Sequence, residues 1–301
     1  MIAIVGGGLI GASIAFELAR AGADIVVLDA GKRGAAWRAG AGMLTPTGER
    51  LHGTPLDELA EHSLRLWPDF ARSLARASGL DVPFRSGIEH VNSPCLRPLD
   101  PSTLRPHEAT THPPTVVRAA LHRLDVRRAE VLELEQVRGG VRLITDAGPL
   151  TAERVVLAAG AWSGRFGLPV FPVRGQALLL TGSPGLPARY SGKRRGFPLY
   201  GLPRPDGHYI GATVRPHCWD PAPRPSDARW LHRAACVLWP EADTLRPQTA
   251  LVGLRPGTAD DLPIVGALPG WDRRVLVATG HGRHGALLAP ATAQHIAKEL
   301  L

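Results

Sequence analysis

A strand, a glycine-rich turn and a helix fill the first twenty-one residues, and they leave few folds open. Ile2-Ala3-Ile4-Val5 is a short apolar run of strand length. Gly6-Gly7-Gly8-Leu9-Ile10-Gly11 follows it, and Ile10, Ile14, Leu18 and Ala21 then recur at helical spacing until Gly22 stops the helix. Ile25-Val26-Val27-Leu28 is a second strand, ending on Asp29 with Ala30 beside it. Strand, Gly-x-Gly-x-x-Gly, helix, strand and acid, in that order, form the dinucleotide-binding fingerprint in the context it requires. Gly6 permits the tight turn, Gly8 removes a side chain that would collide with a pyrophosphate, and Gly11 lets the helix lie close to the strand. The helix start at Leu9 and Ile10 aims unpaired N–H groups and a partial positive charge at phosphates. Asp29 is placed to accept hydrogen bonds from ribose hydroxyls. The fingerprint by itself serves FAD and NAD alike.

The chain of 301 residues is long enough for about two domains. Its composition, 44% hydrophobic and 21% charged, is that of a globular protein and excludes a disordered or low-complexity chain. No apolar run approaches the ~18 residues of a membrane span. A glycine-rich turn starting at Gly6 leaves no room for a leader, so a cytoplasmic location is expected. The net charge is +8, but the basic residues are almost all arginine and are spread along the chain, with Lys193-Arg194-Arg195 the densest cluster. No nucleic-acid motif accompanies them, so the charge reads as a solvated surface suited to small anions, with no nucleic-acid partner. Cys95, Cys218 and Cys236 are odd in number and form no C-x-x-C, which points to a reducing compartment without disulfides or a zinc site. His281 and His284 sit among Gly280, Gly282 and Gly285, a poor frame for a metal-binding helix face.

Further along, residues 58–77 read as an amphipathic helix broken near Pro68. Residues 82–114 are dense in proline and read as irregular structure with a few strands. A short helix over 116–124 precedes strands over 130–134, 141–145 and 154–159, the first two joined at Gly139-Gly140 as a hairpin. Strands over 176–181, 197–202 and 208–213 follow, with Pro205-Asp206-Gly207 turning between the last two. Ser226 is the expected N-cap of a helix over 226–238. A strand over 275–278, a second glycine-rich turn over 280–285 and a helix over 286–300 end the chain.

From Ala41-Gly42-Met43-Leu44-Thr45-Pro46 onward the sequence resembles the D-amino acid oxidase family of FAD-dependent oxidoreductases. The matching pieces run in family order: GGGLIGASIAFELA at 6–19, AGMLTP at 41–46, VVLAAGAWS at 155–163, PVRGQ at 172–176, YGLPRPDGHYIGAT at 200–213, GLRPGTADDLPIVG at 253–266 and ATGHGRHGALLAPATA at 278–293. The resemblance implies an α/β chain with an FAD-binding Rossmann-like domain and an α+β substrate domain built on an antiparallel sheet. Residues 1–80, 115–172 and 253–301 are expected in the first, and 81–114 with 173–252 in the second. It implies non-covalent FAD, contacted by Gly42, Met43 and Leu44, by the backbone of Val131 at the adenine end, and by Trp37, Arg38, Gly160 and Trp162. It also places the turn His281, Gly282, Arg283, His284 and Gly285, with Ala286 and Leu287, at the flavin. Such a turn before a helix suits the edge where negative charge develops on reduction. Trp37-Arg38 replaces the family's usual small polar pair, and Gly282 and His284 stand where an aromatic and an asparagine are more common.

Arg255, in Gly253-Leu254-Arg255-Pro256, matches the family arginine that holds a substrate carboxylate, a task suited to a bidentate guanidinium. Arg283 and Tyr200 match family positions near the substrate. The implied reaction is oxidative deamination of glycine or a similar small amino acid or amine, in thiamine biosynthesis. A neutral amine loses hydride from its α-carbon to the flavin, water hydrolyses the imine, and dioxygen is reduced to hydrogen peroxide. A D-amino acid dehydrogenase with another electron acceptor, or a flavin domain acting on modified tRNA, would carry similar motifs. Assembly into a homo-oligomer stays open.

Overall fold

Strand Ile2–Val5 alternates its side chains between two faces, and both faces are apolar. Such a strand needs cover on both sides, as strands of parallel sheets have. The computed structural model describes residues 1–92, 103–181, 189–194, 197–238 and 240–301; Cys95 and Arg195 lie outside them. Ile2–Val5 pairs in parallel with Arg154–Leu157 on one side and with Ile25–Asp29 on the other. Val275–Thr279 and Val126–Arg128 extend this sheet in parallel, and Ile264–Ala267 closes one edge in the antiparallel sense, making six strands. Ile4, Val27, Val156 and Leu276 pack on one face against Ile14, Leu18 and Ile296 of helices Leu9–Arg20 and Gly285–Leu300. Ala3, Val5, Val26 and Leu28 face the other way, onto Val141 and Leu143 of a three-stranded antiparallel sheet.

A second, nine-stranded sheet is built around Phe171–Thr181. Arg246–Gly257 pairs with that strand along its whole length, and Gly207–Gly211 pairs with it on the opposite side. Helix Pro225–Leu238 covers one face through Leu231, Ala234 and Ala235. The fold is therefore the expected one, a parallel α/β sheet joined to a largely antiparallel one.

Several local expectations change. Helix Asp57–Ser78 runs unbroken through Pro68. A proline in a helix interior costs about 3 kcal/mol. Burial of Leu64, Trp67, Phe70, Ala71 and Leu74 along one face offsets that cost, with Phe70 edge-on to both Phe16 and Trp67. The proline-dense stretch is more regular than its composition suggests: Phe84–Asn92 and Thr103–Thr111 are antiparallel partners. The next helix is Pro113–Ala120, with proline in its first turn, where its missing N–H costs nothing. Helix Pro225–Leu238 starts one residue early, which puts Ser226 inside the first turn and not at the cap.

The closing helix is held from outside at its own proline. Pro290 has no N–H to offer Ala286, and the Trp67 indole Nε1 donates to the Ala286 carbonyl instead, at 3.1 Å. Ser63 Oγ donates to the Leu287 carbonyl at 2.6 Å and accepts from Ala291 N–H at 3.2 Å. Helix Asp57–Ser78 thus fixes the start of the closing helix, which borders the cleft between the two large sheets.

Candidate active site

The cleft has a volume of about 1320 Å³, more than the ~300–1,000 Å³ of an ordinary small-molecule pocket and enough for a dinucleotide with a substrate beside it. The carboxyl ends of the parallel strands form one end, through Val5, Gly6, Gly8, Leu9 and Ile10. Gly11 lies behind this lining. A Cβ there would sit 1.9 Å from the Gly6 carbonyl oxygen, so Gly11 is a packing requirement. Helix Leu9–Arg20 has no side-chain cap, which leaves its first N–H groups free for a ligand. Asp29 is oriented by two backbone donors, Gly7 N–H at 2.6 Å on Oδ2 and Gly31 N–H at 2.5 Å on Oδ1. Each carboxylate oxygen keeps a further lone pair.

Ala30, Trp37, Gly42, Met43, Val131, Gly160 and Trp162 also line the cleft. Arg38 does not; its guanidinium stacks over the Trp37 ring, 4.3 Å from the centroid. Leu44 and Leu287 do not line it either, because both side chains are buried in the core cluster around Trp67. Only their backbones remain near the cleft, as neighbours of Met43 and Ala286. Gly160 is held by Thr279, whose hydroxyl donates to the Gly160 carbonyl at 3.1 Å and accepts from Ser163 Oγ at 2.9 Å.

The late turn brings His281, Gly282, Arg283, His284, Gly285 and Ala286 to the wall of the cleft. Both imidazoles are buried, and the Nδ1 of each has no hydrogen-bond partner. Burial, helped by the neighbouring His284, pushes His281 down to about 3; burial, helped by Arg283, pushes His284 down to about 4. Both are neutral at pH 7, so they offer hydrogen bonds and no charge. Two orphaned imidazole nitrogens, an uncapped helix start and a large cleft lined with small residues fit a flavin dinucleotide.

At the other end, Arg255 stands on Arg246–Gly257 opposite Val173. Its guanidinium lies over Gly175, where a Cβ would come within 2.3 Å of Nη1. Among the described residues no carboxylate pairs with Arg255. Tyr200 lines the cleft beside it, its ring stacked on Tyr209 with centroids 6.0 Å apart. Arg283 is different, because it is exposed and its Nε pairs with Glu49 Oε2 at 2.8 Å.

Sequence reasoning missed Tyr209 and Glu49. Tyr209 is 1% exposed and donates its hydroxyl to the Ala39 carbonyl at 3.0 Å. Burial raises its pKa well above the ordinary tyrosine value, with Tyr200 adding to the shift and Arg255 opposing it, so the phenol keeps its proton. The available signal was a tyrosine between His208 and Ile210 in a short strand, since a buried phenol needs a partner. Glu49 sits in the loop after Pro46, where the sequence shows no pattern to mark it.

Comparison with known proteins agrees with this geometry. The family described as DAO, FAD dependent oxidoreductase, matches residues 1–94 and 88–299. A glycine oxidase of Pseudomonas aeruginosa is 29% identical over 98% of the chain and 93% of its own length. The bifunctional protein ThiO/ThiG of Synechocystis is 31% identical over 100% of the chain and 51% of its own length. The crystal structure of glycine oxidase from Geobacillus kaustophilus superposes with a TM-score of 0.89 at 27% identity, covering 99% of the chain and 94% of that structure.

Proposed function

This chain belongs to the DAO family of FAD-dependent oxidoreductases, and on that premise we propose that it oxidatively deaminates glycine or a similarly small amino acid, as a step of thiamine biosynthesis. The observation that carries the reading is the Arg255 guanidinium, half-buried on the cleft wall with no carboxylate among the described residues to neutralise it. A charged group left so in a folded chain suits an anionic ligand, and a planar guanidinium matches a carboxylate best. Arg255 holds the substrate's acid group, and the Tyr200 hydroxyl adds a donor to it. Arg283, shared with Glu49, is a second anchor at the rim.

The first turn around Gly6, Gly8, Leu9 and Ile10 receives the pyrophosphate, Asp29 and Ala30 the ribose, and Val131 the adenine end. Met43, Gly42 and the turn from His281 to Gly285 border the ring. Bound FAD supplies two-electron acceptance from the substrate's α-carbon and the return of those electrons to dioxygen. The protein supplies position. Fixing the carboxylate leaves one orientation for the α-carbon, and the apolar lining keeps bulk water from the reacting end. The amine reacts as its neutral form, the imine takes up water, and the products are an α-keto or aldehyde acid, ammonia and hydrogen peroxide. Among the described residues no helix is long and apolar enough to cross a membrane, and we place the enzyme in the cytoplasm.

A peroxide assay on purified FAD-loaded protein with glycine, sarcosine and D-alanine tests the reading. Peroxide with an equal amount of released amine, ammonia from glycine or D-alanine and methylamine from sarcosine, from at least one of them is the expected result. Anaerobic bleaching of the flavin without peroxide in air would shift the assignment to a dehydrogenase with another acceptor. No bleaching by any of the three would remove it.

A further inference from the structure

The segment Ala39-Gly40-Ala41-Gly42 lines the cleft and has almost no side chains with which to hold itself in place. It leaves the short helix Ala36–Ala39 and reaches the strand Met43–Leu44, and such small residues carry the largest conformational freedom of any loop. Its position therefore has to come from outside, and three of its carbonyls have external donors. Thr111 N–H bonds the Gly42 carbonyl at 2.8 Å. Arg204 Nη1 bonds the Gly40 carbonyl at 2.9 Å, while its Nη2 bonds His112 Nε2 at 2.9 Å. Tyr209 Oη bonds the Ala39 carbonyl at 3.0 Å. The Arg204 guanidinium also lies over the Tyr209 ring, 5.3 Å from its centroid. Of the three donors, Tyr209 is the one that stacks on Tyr200.

We propose that Tyr209 is a positioning residue that ties the two halves of the site together, its hydroxyl setting the Ala39–Gly42 loop against the cofactor and its ring setting Tyr200 against the substrate. The inference rests on the reading of Arg255 and Tyr200 as the carboxylate end. It assigns a function to a residue that a core-filling tyrosine would not have. Loop and substrate tyrosine share one support, so a change at Tyr209 is felt by FAD even with no substrate present.

The test is Tyr209→Phe in the full-length protein, with FAD affinity by fluorescence titration and the visible circular dichroism of bound flavin, both without substrate. Loss of one buried hydrogen bond predicts a roughly five- to tenfold rise in the FAD Kd and an altered dichroism spectrum. KM for glycine should rise little in Tyr209→Phe, which keeps the ring against Tyr200, and clearly in Tyr209→Leu, which removes it. Arg204→Lys, which keeps a cation but loses the planar fork, should move the same readouts in the same direction. A Tyr209→Phe protein with wild-type FAD Kd and wild-type dichroism overturns the proposal, even if its melting temperature falls, because core packing alone would change only the latter. Arg255→Ala, measured alongside, separates the two ideas: an unchanged KM there removes the carboxylate assignment, whereas the FAD readouts of Tyr209→Phe judge the loop support by themselves.

Discussion

The nucleotide end and the substrate end of the cleft are built on opposite plans. Strand, turn, helix and acid at the nucleotide end lie within residues 2–29 and meet through neighbours in the chain. Arg255, Gly175, Tyr200 and Tyr209 lie on four different strands and meet through sheet register. The glycines show the same difference. Gly11 is hemmed in by backbone, with the Gly6 carbonyl oxygen 1.9 Å from where its Cβ would be. Gly175 is hemmed in by the Arg255 guanidinium, the movable tip of a side chain. One end is rigid by covalent proximity, and the other is adjustable.

The comparison breaks most visibly at Gly8, which faces the cleft with Trp37 Cδ1 3.4 Å from its missing Cβ. Gly8→Val projects two methyl groups into the pyrophosphate space without striking backbone. We expect folded but colourless protein, with FAD affinity down at least about a thousandfold and the thermal stabilisation by FAD lost. Yellow protein after gel filtration would mean the pyrophosphate lies elsewhere.

At the substrate end, Arg255→Ala should raise KM for glycine about a hundredfold or more, the scale of a charged bidentate contact, while FAD stays bound. Gly175→Ala sharpens the contrast. The atoms nearest its methyl group all belong to the guanidinium, so the protein should fold, keep FAD and show a KM raised about tenfold. If Gly175→Ala instead fails to fold, the substrate end is as rigid as the nucleotide end and the comparison falls.

These two plans explain what could be read from the sequence. Gly6 to Asp29 was legible because each residue's role depends on neighbours at fixed spacing. Arg255 and Tyr200 were reached through resemblance, since one arginine among many carries no local mark. Strand Arg246–Gly257 escaped notice because Arg246, Pro247, Gln248 and Pro256 break its alternation; the register with Phe171–Thr181 creates it. Pro68 reads as a break, yet burial of one apolar face carries the helix through it, and at Pro290 the Trp67 and Ser63 side chains of that same helix take up backbone groups of the closing one. Such compensation across 219 or more residues is invisible before the helices pack.

Acid sensitivity separates the ends more gently. His281 and His284 on the late turn are pushed down by burial to about 3 and about 4, and His208 on the substrate sheet to about 4. In the unfolded chain they protonate near 6.5. Above pH 6.5 they are neutral in both states and cost nothing. As pH falls from 6.5 toward 4 the unfolded chain binds protons the native state refuses, so stability drops. The melting temperature of the FAD-free protein should be level from pH 7 to 8 and fall by several degrees by pH 5 (about 2–4 °C per kcal/mol at this size). Asparagine at 281 and 284 should flatten most of that slope, and a slope left intact would place the sensitivity elsewhere.

The smallest effect is expected at Arg283, and it decides whether the rim belongs to either end. Its side chain is 61% exposed and already engaged with Glu49, so any hold on a substrate carboxylate is both shared and screened by solvent. Arg255, by contrast, has no competing carboxylate among the described residues. Arg283→Ala should therefore raise KM for glycine only a few-fold, and the rise should shrink as salt is added, while the effect of Arg255→Ala persists. Glu49→Gln gives the sign. Freed from its partner, Arg283 should hold substrate slightly better and lower KM. A loss at Arg283→Ala as large as that at Arg255→Ala would mean the Glu49 pair opens on substrate binding and that the late turn, not the strand alone, grips the acid group.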